Sequence, residues 1–262
     1  MRERSNATIA RALREGFARA ASAPALLIGT FAVARLLDVP SPHLTLFDTG
    51  VRAVIVWLLF WSFMYGGVID RLARNRPTRA YGFFAACGGH LMPLARLALI
   101  AVAVESVLLP IGRVSSMTQA GRAAVAAVVM VAYAVLVFAR IRLVVEDRRS
   151  AVGALAGSVR FLRRNPSGFV VVILFGLAAY ALNGLYVFFG SSSALSSGLR
   201  VRVFDEAFLA IHFLLKMAAY ASGIALFQSR LAHAGYTAAP PAVWPESASA
   251  EAIANAAPST AQ

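Results

Sequence analysis

The 262-residue chain is more apolar than an average soluble domain, with 59% hydrophobic residues, 14% charged residues and a mean hydropathy of +0.70. Its net charge of +13 is almost pure arginine, because Lys216 is the only lysine, and such an excess suits contact with nucleic acid or an anionic membrane. The single cysteine, Cys87, excludes an intramolecular disulfide and a metal site built from cysteines of one chain. The composition therefore predicts an integral membrane protein.

The N-terminal region combines a basic segment with a short apolar run. Residues 8–22 predict a helix that lies in the membrane interface, and residues 21–37 predict the first membrane span. About twenty residues, including Glu3 and Glu15, precede the apolar run, whereas a secretory signal has a short basic n-region. We therefore interpret the run as a retained span. One helical face of the preceding segment is apolar: Ile9, Ala12, Leu13, Gly16, Phe17 and Ala20.

Five more apolar runs approach the length of about 20 residues that a helix needs to cross a bilayer. We predict an all-α bundle of six transmembrane helices over residues 1–234. Residues 235–262 are rich in Ala, Pro and Ser and predict a disordered tail, in which Trp244 is a possible docking point. The predicted spans are 21–37, 51–68, 94–111, 121–144, 167–190 and 206–229.

The arginines fall mainly on one side of these spans. The positive-inside rule then places both termini in the cytoplasm, which explains most of the basic charge without nucleic acid. The opposite side has only Arg52, Arg113, Arg122, Arg200 and Arg202, in loops that also contain acidic residues. The cytoplasmic set includes Arg2, Arg4, Arg11, Arg14, Arg19, Arg71, Arg74, Arg76, Arg79 and Arg230, with the arginines of residues 139–166.

Residues 139–166, "ARIRLVVEDRRSAVGALAGSVRFLRRNP", join two spans and contain seven arginines. Residues 150–164 predict a second interfacial helix, with Asp147 or Ser150 as its N-cap. We expect arginines here and near the N-terminus to contact anionic lipid head groups, each contributing about 1 kcal/mol close to an anionic leaflet. These residues are Arg140, Arg142, Arg148, Arg149, Arg160, Arg163, Arg164, Arg11, Arg14 and Arg19.

The two interfacial segments share a pattern. Each has an Ala-Leu pair followed eleven residues after the Leu by a proline, Pro24 or Pro166, which suits the first turn of the next helix. A weaker third copy at residues 80–92 ends before Pro93. The pattern is either an internal repeat or a coincidence of Ala-rich and Arg-rich sequence.

Four polar residues are predicted to lie within spans. Glu105 is in the third span, and His212 and Lys216 lie one turn apart in the sixth; Asn183 is inside the fifth. Charged groups at membrane depth are costly unless they are paired or hydrated. A Glu105–Lys216 ion pair that closes the bundle is one interpretation, and a proton or ion pathway through Glu105, His212 and Lys216 is the other.

Metal and catalytic sites are not predicted. Cys87 and His90 have metal-like spacing, but the other histidines belong to other regions. Neither a nucleophile with a base nor a cluster of metal ligands is recognisable, so we expect no enzymatic activity, no metal and no cofactor. Small residues, Gly176 and Gly184 in the fifth span and Ala219 and Gly223 in the sixth, suit close helix packing within or between chains.

The order "FMYGGVIDRLARNRPTRAYGFFAACGGHLMPLARLAL", then "YAVLVFARIRLVVEDRRSAVGALAGSVRFLRRNP", resembles a group of uncharacterised bacterial six-span membrane proteins. These are distantly similar to the membrane domain attached to some glycerophosphoryl diester phosphodiesterases. The resemblance covers about residues 5–232 and implies a fold and a bacterial inner membrane. It implies no activity, because the chain has no His-Arg dipeptide, no Glu-x-Asp and no room for the phosphodiesterase barrel.

Two functions follow from these features. The favoured one is a non-enzymatic membrane scaffold that interacts with anionic lipids, partner proteins or further copies of itself. The alternative is a transporter or channel that uses Glu105, His212 and Lys216. The scaffold is favoured because polar residues within the spans are few, whereas a transporter typically has broken helices and converging polar groups near the midplane.

Overall fold

The computed structural model describes residues 2–36, 51–75, 79–112, 118–190 and 198–230. These parts of the chain are helical and contain no strand. They form eight helices: α1 (Arg2–Ala21), α2 (Pro24–Leu36), α3 (Val51–Arg74), α4 (Ala80–Gly112), α5 (Gln119–Val145), α6 (Ala151–Arg164), α7 (Ser167–Gly190) and α8 (Gly198–Arg230).

Five of the helices are long and apolar enough to cross a membrane: α3, α4, α5, α7 and α8. This agrees with a membrane protein. The first predicted span, 21–37, corresponds to α2, whose 13 described residues are too few to cross a bilayer by themselves. The predicted tail, 235–262, lies outside the described residues.

Helix starts follow the local chemistry of the sequence. Pro24 is the first residue of α2, and Pro166 immediately precedes α7, where its carbonyl accepts from the Phe169 amide at 3.0 Å. Ser150 is the N-cap of α6 and accepts a hydrogen bond from the Gly153 amide at 3.1 Å, which confirms one of the two predicted caps. The other, Asp147, lies in the preceding turn with a φ of 47°.

Pro93 does not separate two helices, in contrast to our expectation for residues 80–92 and 94–111. Instead α4 continues through it for 33 residues. A proline inside a helix removes one hydrogen bond and crowds the carbonyl four residues earlier, which here belongs to Gly89. Packing on both sides of Pro93 offsets this cost: Cys87 is buried against Gly67 of α3, and Leu94 and Leu97 are buried in the core.

The α1 helix packs directly on α8. A Cβ atom added to Gly16 would overlap Ser222 Oγ and lie 2.6 Å from Ser222 Cα, so only glycine permits this approach. Ala12 and Ala20 belong to the same hydrophobic core as α8. Much of the apolar face predicted for residues 8–22 is therefore covered by protein, although Phe17 stays half exposed.

The α6 helix packs on the ends of α5 and α8. Phe161 lies 5.2 Å from Phe138 and 5.1 Å from Phe227 between ring centroids, and all three side chains are buried. Arg160, Arg163 and Arg164 lie on the exposed surface of α6. This two-sided character agrees with the helical period of its sequence.

Candidate intramembrane binding site

A cavity of about 590 Å³ lies between α3, α4, α5, α7 and α8. This volume is within the range of small-molecule sites. The walls are largely aliphatic and aromatic, but polar side chains from four helices converge on the same space. They are Ser62 and Tyr65 on α3, Glu105 on α4, Tyr133 and Arg140 on α5, and His212, Lys216 and Tyr220 on α8.

Arg140 faces this cavity, which corrects its predicted position at the lipid head groups. Its Nη1 donates to the Tyr220 hydroxyl at 2.8 Å, and its guanidinium lies 5.1 Å from the centre of the Tyr65 ring. No carboxylate forms an ion pair with it among the described residues. The sequence predicts that Arg140 lies near the end of its span. It does not predict that this face of the helix points into the bundle.

Lys216 is held among aromatic rings. Its ammonium lies 5.2 Å from the centre of the Trp61 ring and 5.5 Å from that of Tyr65. A cation over an aromatic face gains about 0.5 to 2 kcal/mol, depending on how far it is desolvated. This is less than a charge loses on leaving water for the centre of a membrane, about 3 kcal/mol or more.

Glu105 and His212 line the same cavity, so the structure brings together the three residues of the predicted pathway, Glu105, His212 and Lys216. However, the ion pairs of the described residues do not include a direct Glu105–Lys216 pair, which was one of the two interpretations of the sequence. His212 packs on Phe208 with ring centroids 6.1 Å apart. Asn183 is exposed, donates to the Ala179 carbonyl of its own helix at 2.8 Å and takes no part in the cavity.

Ser62 adds an unsatisfied polar atom to the wall. The residue is 2% exposed, and its buried hydroxyl has no hydrogen-bond partner in the described structure. A buried hydroxyl without a partner costs about 1 to 3 kcal/mol. The hydroxyl oxygen is itself covered by protein, so Ser62 contributes to the cavity wall without presenting a donor to the cavity.

Two more arginines predicted at the head groups lie inside the bundle. Arg19 is 8% exposed and bonds the Leu72 carbonyl at 3.2 Å, Gln228 Oε1 at 2.8 Å and the Glu15 carboxylate. Arg142 Nε bonds Glu146 at 2.6 Å, and its guanidinium lies against Gly157 of α6. The sequence shows which helix face carries each arginine but not which neighbour covers it.

The remaining predicted head-group residues have exposed side chains. Arg148 is about half exposed and also bonds Glu146, so this carboxylate lies between two arginines. The others are Arg11, Arg14, Arg149, Arg160, Arg163 and Arg164. Their contact with lipid stays a prediction.

A second cavity, of about 670 Å³, lies where α3 ends and α4 passes the turn before α6. Its charged lining includes Asp70 and Arg74, which are paired at 2.9 Å. His90 Nδ1 lies 3.9 Å from Asp147 Oδ1. Within the described ranges, no three His, Cys, Asp or Glu residues come together in a metal-binding arrangement.

Sequence reasoning missed most of the cavity wall, although a signal was present. Trp57, Trp61 and Tyr65 are spaced four residues apart, as are His212, Lys216 and Tyr220 on α8. Residues four apart share one helix face. The two stripes therefore indicated an aromatic face and a polar face, but not that the faces meet.

Comparison of the chain with protein-family models, curated proteins and solved structures found no match.

Proposed function

We propose that this membrane protein is a transporter or channel whose pathway includes the cavity between α3, α4, α5, α7 and α8. The observation that supports it is the convergence of Glu105, His212 and Lys216 on one cavity of about 590 Å³. The sequence favoured a scaffold because these residues are few. Their convergence favours the alternative, since a scaffold has no need of charged groups around an internal space.

The cavity charges lack the contacts that a purely structural role would require. Buried charges that stabilise a fold are paired and hydrogen-bonded, because an isolated charge is costly at membrane depth. Arg140 contacts tyrosines and Lys216 contacts aromatic rings, while the described ion pairs do not include either residue. Water or a solute in the cavity would supply the missing stabilisation.

The helices that form the walls run through the site without a break. Both α4 and α8 are continuous helices of 33 residues, and the cavity lies against the middle of each. Many transporters instead bind substrate at the ends of broken helices. We therefore propose that side chains, and not the ends of broken helices, recognise the solute. The proposed function includes no enzymatic step.

We further propose six spans with both termini in the cytoplasm of a bacterial inner membrane. The arginine distribution supports this orientation through the positive-inside rule. In this proposed arrangement α2 belongs to the first span, and α1 and α6 lie at the cytoplasmic surface.

A second role, contact with anionic lipid, is favoured by the exposed arginines of α6. Arg160, Arg163 and Arg164 lie on its outer surface, opposite the buried Phe161 and Leu162. Such a surface would anchor the protein to an anionic leaflet. It is compatible with a pathway through the bundle.

Cysteine labelling tests the pathway. Ala98 lines the cavity, whereas the next residue, Leu99, is 60% exposed on the apolar outer surface of the bundle. A membrane-impermeant thiol reagent should label Ala98→Cys when it is added to either face of the membrane, in whole cells and in inverted vesicles. It should not label Leu99→Cys, because that position faces lipid.

The unmodified chain gives the background, because its Cys87 is buried. Labelling of Ala98→Cys from neither face, or equal labelling of both variants, would contradict a water-filled pathway. Equal amounts of each variant in the membrane control for expression.

A further inference from the structure

The cavity carries more positive than negative charge. Arg140 and Lys216 are cations, and Glu105 is the one carboxylate among the described residues of the lining. The arginine guanidinium keeps its proton under all ordinary conditions. A solute that enters this space therefore meets a positive field, which is strengthened by the apolar surroundings.

Hydrogen-bond donors are also available. Arg140 Nη1 donates a hydrogen bond to the Tyr220 hydroxyl. The guanidinium donates no other hydrogen bond in the part of the chain that the structure describes. Lys216 is stacked against rings, which accept no conventional hydrogen bond. Arg140 and Lys216 therefore present donors to one space.

The rest of the wall suits a flat apolar group. Trp61 and Phe213 are stacked with ring centroids 5.7 Å apart and an interplanar angle of 26°. Tyr65 and Tyr220 lie 5.3 Å apart. Trp57 extends the same aromatic surface at 6.4 Å from Trp61. Aromatic faces favour stacking with another ring as well as burial of apolar area.

We propose that the cavity binds an organic anion, with one carboxylate or phosphate group held by Lys216 and Arg140 and an apolar body against the aromatic wall. This rests on the proposed function, because it names the class of solute that the pathway accepts. The same chemistry can come from a water-soluble aromatic acid or from a single-chain amphiphile of the membrane. Each has one anionic head and an apolar body.

Tryptophan fluorescence gives a direct readout. The chain has three tryptophans, and Trp57 and Trp61 line the cavity. In the Trp244→Phe variant, all tryptophan fluorescence therefore comes from Trp57 and Trp61 in the cavity wall. In this background, purified protein in detergent is titrated with benzoate, benzylammonium and benzamide, which share a ring but differ in charge. Dodecanoate is the membrane-amphiphile probe, with dodecylammonium as its matched cation.

We expect benzoate or dodecanoate to change the emission saturably and to bind at least about tenfold more tightly than its matched cation, the size of one charge-assisted hydrogen bond. Lys216→Met should weaken anion binding by a similar factor, and Lys216→Arg should retain it. Arg14→Gln, which changes an exposed arginine outside the cavity, is the control. Saturation by benzoate points to a soluble acid, and saturation by dodecanoate alone points to a membrane amphiphile.

The inference is overturned if the cations bind as well as the anions, if neither anion binds, or if Lys216→Met binds like the parent protein. These outcomes are separate from failure of the pathway. Anion binding without cysteine labelling from both faces would keep the site and remove the transport function. Labelling from both faces without anion preference would keep the pathway and remove the proposed solute class.

Discussion

Two regions of the bundle differ in the contacts that their charged side chains make. Where α1 and α6 meet the ends of α3, α5 and α8, the charged groups have partners: Arg19 bonds Glu15 and Gln228, and Glu146 bonds two arginines. The side chains around them are close-packed, with Phe138, Phe227 and Leu143 almost fully buried. In the cavity, Arg140 and Lys216 contact aromatic groups and border open space.

The difference indicates two uses of charge in one apolar protein. A paired and buried charge fixes the packing of helices, because breaking the pair leaves an uncompensated ion. A charge beside open volume stabilises the fold little and is available to a ligand. Substitutions in the first region should therefore lower stability, and substitutions in the second should alter binding.

The largest loss of stability is expected for Glu146→Gln. The Glu146 side chain is 4% exposed, and its carboxylate lies between Arg142 and Arg148. Neutralising it leaves the largely buried Arg142 without its counter-charge, which should lower the free energy of unfolding by about 3 kcal/mol. Thermal unfolding in mild detergent measures the change. Asp147→Asn is the matched control, because that neighbouring side chain is 82% exposed.

A smaller loss is expected for Gly16→Ala. The added methyl group would lie 2.6 Å from Ser222 Cα, so α1 and α8 must move apart, at a cost of about 2 kcal/mol. The same change at Gly184, where an added Cβ meets nothing within 4 Å, is the control. Equal unfolding temperatures for the two variants would mean that α1 does not pack closely on α8.

The smallest effect is expected for Glu105→Gln and Lys216→Met. Because these two groups line one cavity without a direct ion pair, each change should alter the free energy of unfolding by less than about 1 kcal/mol. The double variant should show the sum of the single effects, measured by the same unfolding assay. A large loss in each single variant that is recovered in the double variant would instead demonstrate a coupled pair.

The sequence was sufficient where local chemistry decides the structure. The span predicted at 167–190 has the same bounds as α7, because a continuous apolar run follows Pro166. Ser150 was predicted as a cap for α6 and has that role. These features depend on residues within a few positions of each other.

Features that depend on packing between distant segments were not predicted. Pro93 suggested a break, but buried contacts on both sides of it keep α4 continuous. Arg19 and Arg140 were assigned to the lipid surface, because composition does not reveal that Gln228 and Tyr220 lie beside them. The cavity arises in the same way, from faces of five helices that are far apart in the chain.

The most direct test of the division between structural and ligand-binding charges is the unfolding temperature of Lys216→Met with and without benzoate or dodecanoate. A ligand that binds the folded state raises this temperature. We predict that Lys216→Met unfolds at the parent temperature without ligand and loses most of the rise that the anion gives the parent protein. A variant that unfolds at a much lower temperature, yet keeps the full rise on adding the anion, would show that Lys216 is structural and would contradict this division.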